Sequence, residues 1–311
     1  MSKVLISDSM DNIAKELFIQ NNIDCDVITD LSSDDLKNII NQYDALVVRS
    51  ATKVTKDIIL SSQKLKIIGR AGAGTDNIDI KSAKEKNIIV MNTPGANTNA
   101  TAEHTIALIL SLLRNITKAN FSTHKGLWEK KLFKGVELKD KNLGLIGFGN
   151  VSARVAEIAN GFGMKIYTFS KSFKDKKNLY PYVTNLSFDE ILTTCDIISL
   201  HCKSSPDNKP LFNTNEFSKM KDSSFIINTA RGSLINEIDL KNALENKIIM
   251  GAALDVYMSE PATKNILFNT KNLILSPHIA ASTFEAQKNV AIQIAKQIID
   301  YFIEGKIVNN L

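Results

Sequence analysis

Residues 143–156 read LGLIGFGNVSARVA. The apolar run 143–146 stops at a Gly-x-Gly turn, Gly147 and Gly149, and a helix-like pattern opens at Val151. Strand, glycine turn and helix in that order place a dinucleotide pyrophosphate on a helix N-terminus, where unpaired backbone N–H groups and the helix dipole favour an anion. The fingerprint is incomplete. Its third glycine position holds Ser152, and the ribose-binding acid expected roughly twenty residues further on is missing. The segment therefore predicts a dinucleotide and leaves open which one.

Outward from this stretch, short β-branched runs recur at 4–6, 45–48, 66–68, 88–91, 165–168, 197–200, 225–228, 251–254 and 273–275. Between them lie longer segments with apolar residues at helical spacing, such as 11–20 and 284–302. Alternation of this kind over 311 residues predicts an α/β fold with two Rossmann-like, doubly wound parallel-sheet domains. The pattern breaks at Asn92-Thr93-Pro94-Gly95, ahead of an apolar helix over 101–115. A dinucleotide-binding domain is placed at 99–279. The last helix, past Ser282, follows a completed sheet and has no core of its own, so it is expected to return to the first domain, giving 1–98 plus 280–311 as the substrate-binding domain. The active site is expected in the cleft between the domains, at strand C-terminal ends.

Composition narrows the function classes. The chain is 44% hydrophobic and 23% charged, ordinary for a globular protein, with a net charge of +5. No dense Lys/Arg block with interleaved aromatics stands out, which argues against nucleic acid as a partner. A mild positive potential suits a small anionic substrate and a phosphorylated cofactor. The three cysteines, Cys25, Cys195 and Cys202, lack CxxC spacing and read as reduced thiols, neither a disulfide framework nor a metal site. The N-terminus, MSKVLISDSM, runs straight into a strand pattern, and no apolar stretch is long enough to span a bilayer. A cytoplasmic location, without membrane association, is the expectation.

Of the four histidines, His104 lies in an apolar helix and reads as packed or hydrogen-bonded. His124 sits in a polar loop, and His201 ends a strand, where a structural role is expected. His278 differs: it follows Pro277 after the strand 273–275, and the C-terminal end of a strand in a nucleotide domain is where a general acid/base is placed. Two neighbouring strands end on chemistry as well. NTARG (228–232) follows the run 225–227, and Asp255 closes 251–254 with Glu260-Pro261 just beyond. An arginine at such a tip is either a surface charge or a bidentate carboxylate clamp. A glutamate near a histidine is either solvated or raises the imidazole pKa and fixes its tautomer. Arg, Glu and His on three strand tips form a more specific constellation than any one of them.

With these residues in place, the chain resembles the D-isomer-specific 2-hydroxyacid dehydrogenases over nearly its whole length. The matching stretches are RSATKVT (49–55), RAGAGTDNID (70–79), MNTPGANTNATAEH (91–104), KGLWEKKLFKGVEL (125–138), NTARGSLINE (228–237), GAALDVYMSEP (251–261) and SPHIAASTFEAQ (276–287). The WEKKLFKGVEL and STFEAQ stretches favour the phosphoglycerate branch over the glyoxylate and hydroxypyruvate reductases. The resemblance implies an NAD(P)-dependent oxidoreductase acting on the CH–OH of a D-2-hydroxy acid, with 3-phosphoglycerate and 3-phosphohydroxypyruvate of serine biosynthesis as the pair. Arg231, Glu260 and His278 become the implied catalytic set. Arg231 holds the substrate carboxylate and polarises the C2 oxygen, His278 exchanges the hydroxyl proton, and Glu260 orients His278. The implied carboxylate loop is Gly72-Ala73-Gly74, with Arg49, Lys53 and Arg70 for the substrate phosphate. Cofactor contacts carry over to Ala73, Gly147, Gly149, Asn150, Val151, Ser170, Lys171, Cys202, Thr229, Ala230, Arg231, Asp255, His278 and Ala281, with Asp255 accepting from the nicotinamide amide.

The chain departs from the family pattern at Ser152, in the order of Gly95-Ala96-Asn97, and most of all at Ser170, where the ribose acid belongs. A carboxylate there repels a 2′-phosphate. Ser170 removes that repulsion, and Lys171 and Lys174 add positive charge, so NADP is expected beside the family default, NAD. The resemblance also implies a homodimer using the region of helix 101–115, with Trp128 packing across it. The chain ends at Leu311, so feedback through a C-terminal regulatory domain is not expected. The same fold serves dinucleotide-sensing corepressors, which remain an alternative of another class.

Overall fold

The computed structural model describes residues 2–205, 207 and 209–311. The chain divides into two compact units, Met1–Asn97 with Ala281–Leu311, and Thr98–Ala280. The first unit alternates β1 (Lys3–Ile6), α1 (Ile13–Gln20), β2 (Asp24–Val27), α2 (Ser33–Ile39), β3 (Ala45–Val48), α3 (Lys56–Ser61), β4 (Ile67–Arg70), α4 (Ile80–Glu85) and β5 (Ile89–Asn92). Its five strands are parallel in the order β2-β1-β3-β4-β5, the flavodoxin-like arrangement. Alternate side chains of one strand go to opposite layers. Val4, Ile6 and Val47 pack with Phe18 of α1, whereas Leu5, Leu46 and Val48 pack with Leu36 of α2 and Ile58 of α3. The final helix of the chain, Phe284–Glu304, belongs to this unit and buries Val290, Ile294 and Ile298 in the first of these layers. Gly69 on β4 permits that approach, since a Cβ there would lie 2.8 Å from Ile294 and Ile298.

The second unit opens with α5 (Thr98–Leu113) and α6 (Ile116–His124), separated by Asn115 in the left-handed conformation (φ +54°). It continues through β6 (Asn142–Ile146), α7 (Asn150–Gly161), β7 (Lys165–Phe169), β8 (Val183–Asn185), α8 (Phe188–Thr194), β9 (Ile197–Leu200), α9 (Thr214–Lys219), β10 (Phe225–Asn228), α10 (Glu237–Glu245), β11 (Gly251–Leu254) and β12 (Leu273–Leu275). The helix Phe284–Glu304 is α11. The seven strands are parallel in the order β12-β11-β10-β9-β6-β7-β8. The direction of winding reverses between β6 and β9, and ligands of such sheets bind outside the strand carboxyl ends at that switch point.

β2 and β8 carry no apolar run in the sequence. β2 reads DCDV, partly exposed, and β8 has three residues, two of them exposed. Both lie at sheet edges, where one flank and part of a face meet water and a continuous hydrophobic strand would invite association. Among the described residues, no helix is long and apolar enough to cross a membrane.

Candidate active site

The glycine turn begins directly after β6. Gly147 has φ +90°, and a Cβ on it would stand 2.9 Å from the His201 carbonyl oxygen, so both conformation and space call for glycine. Gly149 is the N-cap of α7, with no side-chain cap and no atom within 4 Å of a notional Cβ. Helices α2, α8, α9 and α10 are capped by Ser32, Ser187, Asn213 and Asn236. The bare N-terminus of α7, with Asn150 and Val151 in its first turn, thus fits a dinucleotide pyrophosphate. Ser152 is fully buried, and its Oγ has no hydrogen-bond partner among the described residues.

Phe148, in the middle of the turn, is buried and makes edge-on contacts with Phe173 (4.8 Å between ring centroids) and Tyr180 (5.1 Å). These rings clamp the segment after β7 onto the turn, and Lys176 Nζ donates to the Phe148 carbonyl at 3.0 Å. Ser170 heads that segment. Its N–H donates to Asn185 Oδ1 (3.3 Å) and its hydroxyl lies 3.3 Å from Ser172 Oγ. Lys171 and Lys174 are exposed. Lys176 escapes a reading by motif because its link to the turn is tertiary. Cys202 lies past β9, half-buried, with its thiol pushed up by burial. His201, beside it, pairs with Ser199 Oγ at 2.9 Å, and desolvation lowers its pKa to about 4, so it is neutral and structural.

Arg231, Glu260 and His278 follow β10, β11 and β12, three adjacent parallel strands whose carboxyl ends share one edge. His278 Nδ1 and Glu260 Oε2 are 2.6 Å apart. A carboxylate only accepts, so Nδ1 carries the proton and Nε2 is the atom left for chemistry. Glu260 Oε1 accepts from the Tyr257 N–H at 3.0 Å. The bond from Glu260 raises the His278 pKa above its ordinary value against opposing desolvation, while the Arg231 charge pulls it down. Burial pushes the Glu260 carboxyl up, but the His278 and Tyr257 donors outweigh it and hold its pKa below the usual range.

The His278 backbone has φ +54°, uncommon for a residue with a side chain. A buried carboxylate fixes it there. Asp255, with no exposed surface, accepts from Ile279 N–H (2.9 Å), Ala280 N–H (2.8 Å) and Ser276 Oγ (2.6 Å). With the Ser276 proton spent on Asp255, His104 Nε2 donates to Ser276 Oγ at 3.1 Å, and it stands 3.4 Å from Asp255 Oδ1. Burial raises the Asp255 pKa, but these donors more than compensate and leave it below the usual range. Tyr257 adds a strut, donating its hydroxyl to the Ser276 carbonyl at 2.9 Å. Arg231 is placed by its neighbours: Asn228 Nδ2 donates to the Arg231 carbonyl (2.8 Å), and Asn228 Oδ1 accepts from Ala230 N–H (3.0 Å). Gly232 lies so close to the Tyr257 backbone that a Cβ would overlap the Tyr257 carbonyl. Thr229 donates to Thr105 Oγ1 at 2.8 Å, since the Thr105 hydroxyl itself donates to the Thr101 carbonyl. His104, expected from the sequence to be packed or hydrogen-bonded, is hydrogen-bonded to Ser276. The partners of His104, Ser276 and Tyr257 are not legible in the motifs because these bonds are tertiary.

In the first unit, the remaining substrate candidates gather at the carboxyl edge of the sheet. Arg49 follows β3 and Arg70 ends β4. Arg49 is half-buried, which lowers its pKa against the raising influence of Asp8, and its Nη1 donates to the Ser9 carbonyl at 2.9 Å. It lines a cavity of about 370 Å³ with Ser9, Met10 and Lys288. The Arg70 guanidinium occupies the space that a side chain at Gly72 (φ +149°) would need. Asn92 Nδ2 donates to the Ala73 carbonyl (2.7 Å) and Thr93 N–H to that of Gly72 (3.1 Å), which fixes the 72–74 loop. Lys53 is exposed. Ala281 opens the returning segment, its carbonyl accepting from Gln287 Nε2 at 3.0 Å.

Residues 106–280 match the profile of the D-isomer specific 2-hydroxyacid dehydrogenase, NAD binding domain. The chain is 41% identical over 303 residues to D-3-phosphoglycerate dehydrogenase of Synechocystis, covering 97% of this chain and 54% of that protein. It is 42% identical over 300 residues to hydroxypyruvate reductase of Thermotoga maritima, covering 95% of this chain and 97% of that protein. Among solved structures, an acyclic imino acid reductase (Bsp5) in complex with NADPH and D-Arg superposes with a TM-score of 0.90 at 29% identity, covering 99% of each chain. The chain spans about half the length of the phosphoglycerate dehydrogenases it matches. On the profile match and these identities, the chain belongs to the D-isomer specific 2-hydroxyacid dehydrogenase family.

Proposed function

We propose that this protein interconverts a D-2-hydroxy acid and its 2-oxo acid, with 3-phosphoglycerate and 3-phosphohydroxypyruvate as the physiological pair. The observation that carries this reading is the His278–Glu260 pair at 2.6 Å within the electrostatic reach of Arg231. A bound nicotinamide dinucleotide supplies the hydride acceptor. Arg231 grips the substrate carboxylate through its guanidinium fork and polarises the C2 oxygen. Neutral His278 accepts the C2 hydroxyl proton at Nε2 during oxidation, and imidazolium His278 returns it during reduction. Glu260 keeps Nδ1 protonated and stabilises the cationic form. Asp255 sets the backbone from which His278 projects; fully buried and already accepting from Ser276, Ile279 and Ala280, it presents no free oxygen to the nicotinamide amide that the resemblance assigns to it.

Arg49, Lys53 and Arg70, with the 72–74 loop, are assigned to the anionic groups of the substrate. The alternative is a hydroxypyruvate reductase, favoured by the relative from Thermotoga, of which the chain covers 97%. A turnover assay with 3-phosphohydroxypyruvate and either reduced cofactor tests the enzymatic reading. Steady turnover supports it. Tight cofactor binding without turnover of phosphorylated or free hydroxypyruvate favours a dinucleotide-sensing module.

The cofactor assignment rests on the bare α7 N-terminus together with Ser170 in place of an acid. No carboxylate at Ser170 opposes a 2′-phosphate, and Lys176, held at the glycine turn, joins Lys171 and Lys174 as a cation on that side. NADPH is expected to support a kcat/KM within about tenfold of that with NADH, a difference below ~1.4 kcal/mol; a larger preference for NADH contradicts the assignment. A homodimer is part of the proposal, built on the exposed Phe121, Trp128 and Leu132.

A further inference from the structure

The carboxyl ends of the strands in the second unit carry the site described above. The opposite, amino ends enclose a separate cavity of about 310 Å³. Its wall follows the starts of five adjacent strands: Lys141 precedes β6, Asp196 precedes β9, Phe225 opens β10, Met250 precedes β11 and Asn272 precedes β12. The end of α5 supplies Leu112 and Leu113, which with Ile197 and Phe225 make an apolar floor. The far wall is the segment 134–136. It is fixed by Val136 N–H donating to the Leu113 carbonyl (3.0 Å) and by Asn115 Nδ2 donating to the Lys134 carbonyl (3.3 Å). Gly135 allows this contact, since a Cβ on it would stand 2.7 Å from the Leu113 carbonyl oxygen.

Three lysines line this cavity, Lys118, Lys134 and Lys141. Lys118 Nζ donates to Asn272 Oδ1 at 2.6 Å, and burial lowers its pKa. None of the three pairs with a carboxylate in the ion pairs found among the described residues. Asp196 is the carboxylate on the wall: it accepts from Lys221 Nζ at 2.8 Å and from Asn142 N–H at 2.8 Å, and the Lys141 charge joins that of Lys221 in lowering its pKa against burial. An apolar floor lined by three lysines against a single carboxylate that already pairs with Lys221, with the Asn115 and Asn272 amides beside them, is complementary to an anionic head on a hydrocarbon or aromatic body.

We infer that this cavity is a second ligand site, distinct from the dinucleotide and substrate positions, that takes a small amphipathic anion. The head is held by Lys118, Lys134 and Lys141, and the apolar body lies on Leu112, Leu113 and Phe225. The site is independent of the proposed activity.

The test titrates the full-length protein with phenylacetate, phenyl phosphate and the neutral 2-phenylethanol, following the methyl NMR signals of Met250 and Val136. Saturable shifts are expected with both anions, and the tighter of the two identifies a carboxylate or a phosphate head. The alcohol is expected to bind at least about tenfold more weakly, and added salt to weaken the anions but not the alcohol. Lys118→Met with Lys141→Met is expected to lower anion affinity at least about tenfold while leaving the Kd for NADH unchanged. Lys134→Met, on an exposed segment, provides a milder variant with the same direction of effect. The inference is overturned by absence of saturable shifts, by equal affinity for the alcohol, or by unchanged anion affinity in the folded lysine variants.

Discussion

At His278 the hydrogen bond to Glu260 is the largest influence on the pH at which the proposed chemistry runs, ahead of the opposing desolvation. Because Glu260 raises the His278 pKa, the imidazolium needed for reduction persists to higher pH than an ordinary histidine would allow. Glu260→Gln removes that support while the opposing desolvation remains. The alkaline limb for reduction and the acid limb for oxidation are then both expected to move to lower pH, read from kcat/KM profiles; limbs that stay in place contradict the assignment. The stability sign follows from the same directions. The raised imidazole contributes fully below its ordinary pKa of about 6.5, and the contribution is lost as pH rises through its folded value. The lowered carboxyl contributes above its ordinary value and loses its contribution as pH falls through the folded one. The Tm difference between the native protein and Glu260→Gln is therefore expected to peak between the carboxylate range and about pH 6.5. His278→Ala is expected to lower kcat by about 10²–10⁴-fold, the usual worth of a positioned acid/base, with the Kd for NADH nearly unchanged.

Among the elements, legibility followed burial. β3, β9, β10 and β11 are buried at every position, so their composition announces them. β2 and β8, on the edges, give the hydrophobic pattern nothing to show. The strand tips carrying Arg231 and His278 stand out in the sequence because ionisable side chains interrupt an apolar context there. The support beneath them does not. His104 and Ser276 meet across 172 positions, and Lys176 reaches Phe148 across 28, distances at which local sequence has no signal. Two substitutions probe the packing. Ser152→Ala removes a buried hydroxyl without a partner, and is expected to stabilise the fold by about 1 kcal/mol, seen as a raised Tm. A fall in Tm would mean that the hydroxyl is paired. Gly232→Ala forces a Cβ into the Tyr257 backbone. It is expected to displace Arg231 and raise the KM for the oxo acid at least about tenfold, with a smaller effect on the KM for NADH.

For the whole molecule, the division of labour follows from two parallel sheets, each with its own core. The second unit holds the glycine turn and the residues proposed for proton transfer. The first presents Arg49, Arg70 and the 72–74 loop at its own carboxyl edge. In the proposed function a carboxylate alone needs only Arg231 and backbone N–H groups. The further cations on the first unit are accounted for if the substrate carries a second anionic group, and that is the physical content of the phosphorylated assignment. The most direct measurement is kcat/KM for reduction of 3-phosphohydroxypyruvate against hydroxypyruvate, on the same preparation at low ionic strength and with the preferred cofactor. At least about a tenfold advantage for the phosphorylated acid, or ~1.4 kcal/mol in transition-state binding, is the predicted result. Equal rates, or a preference for hydroxypyruvate, would contradict it.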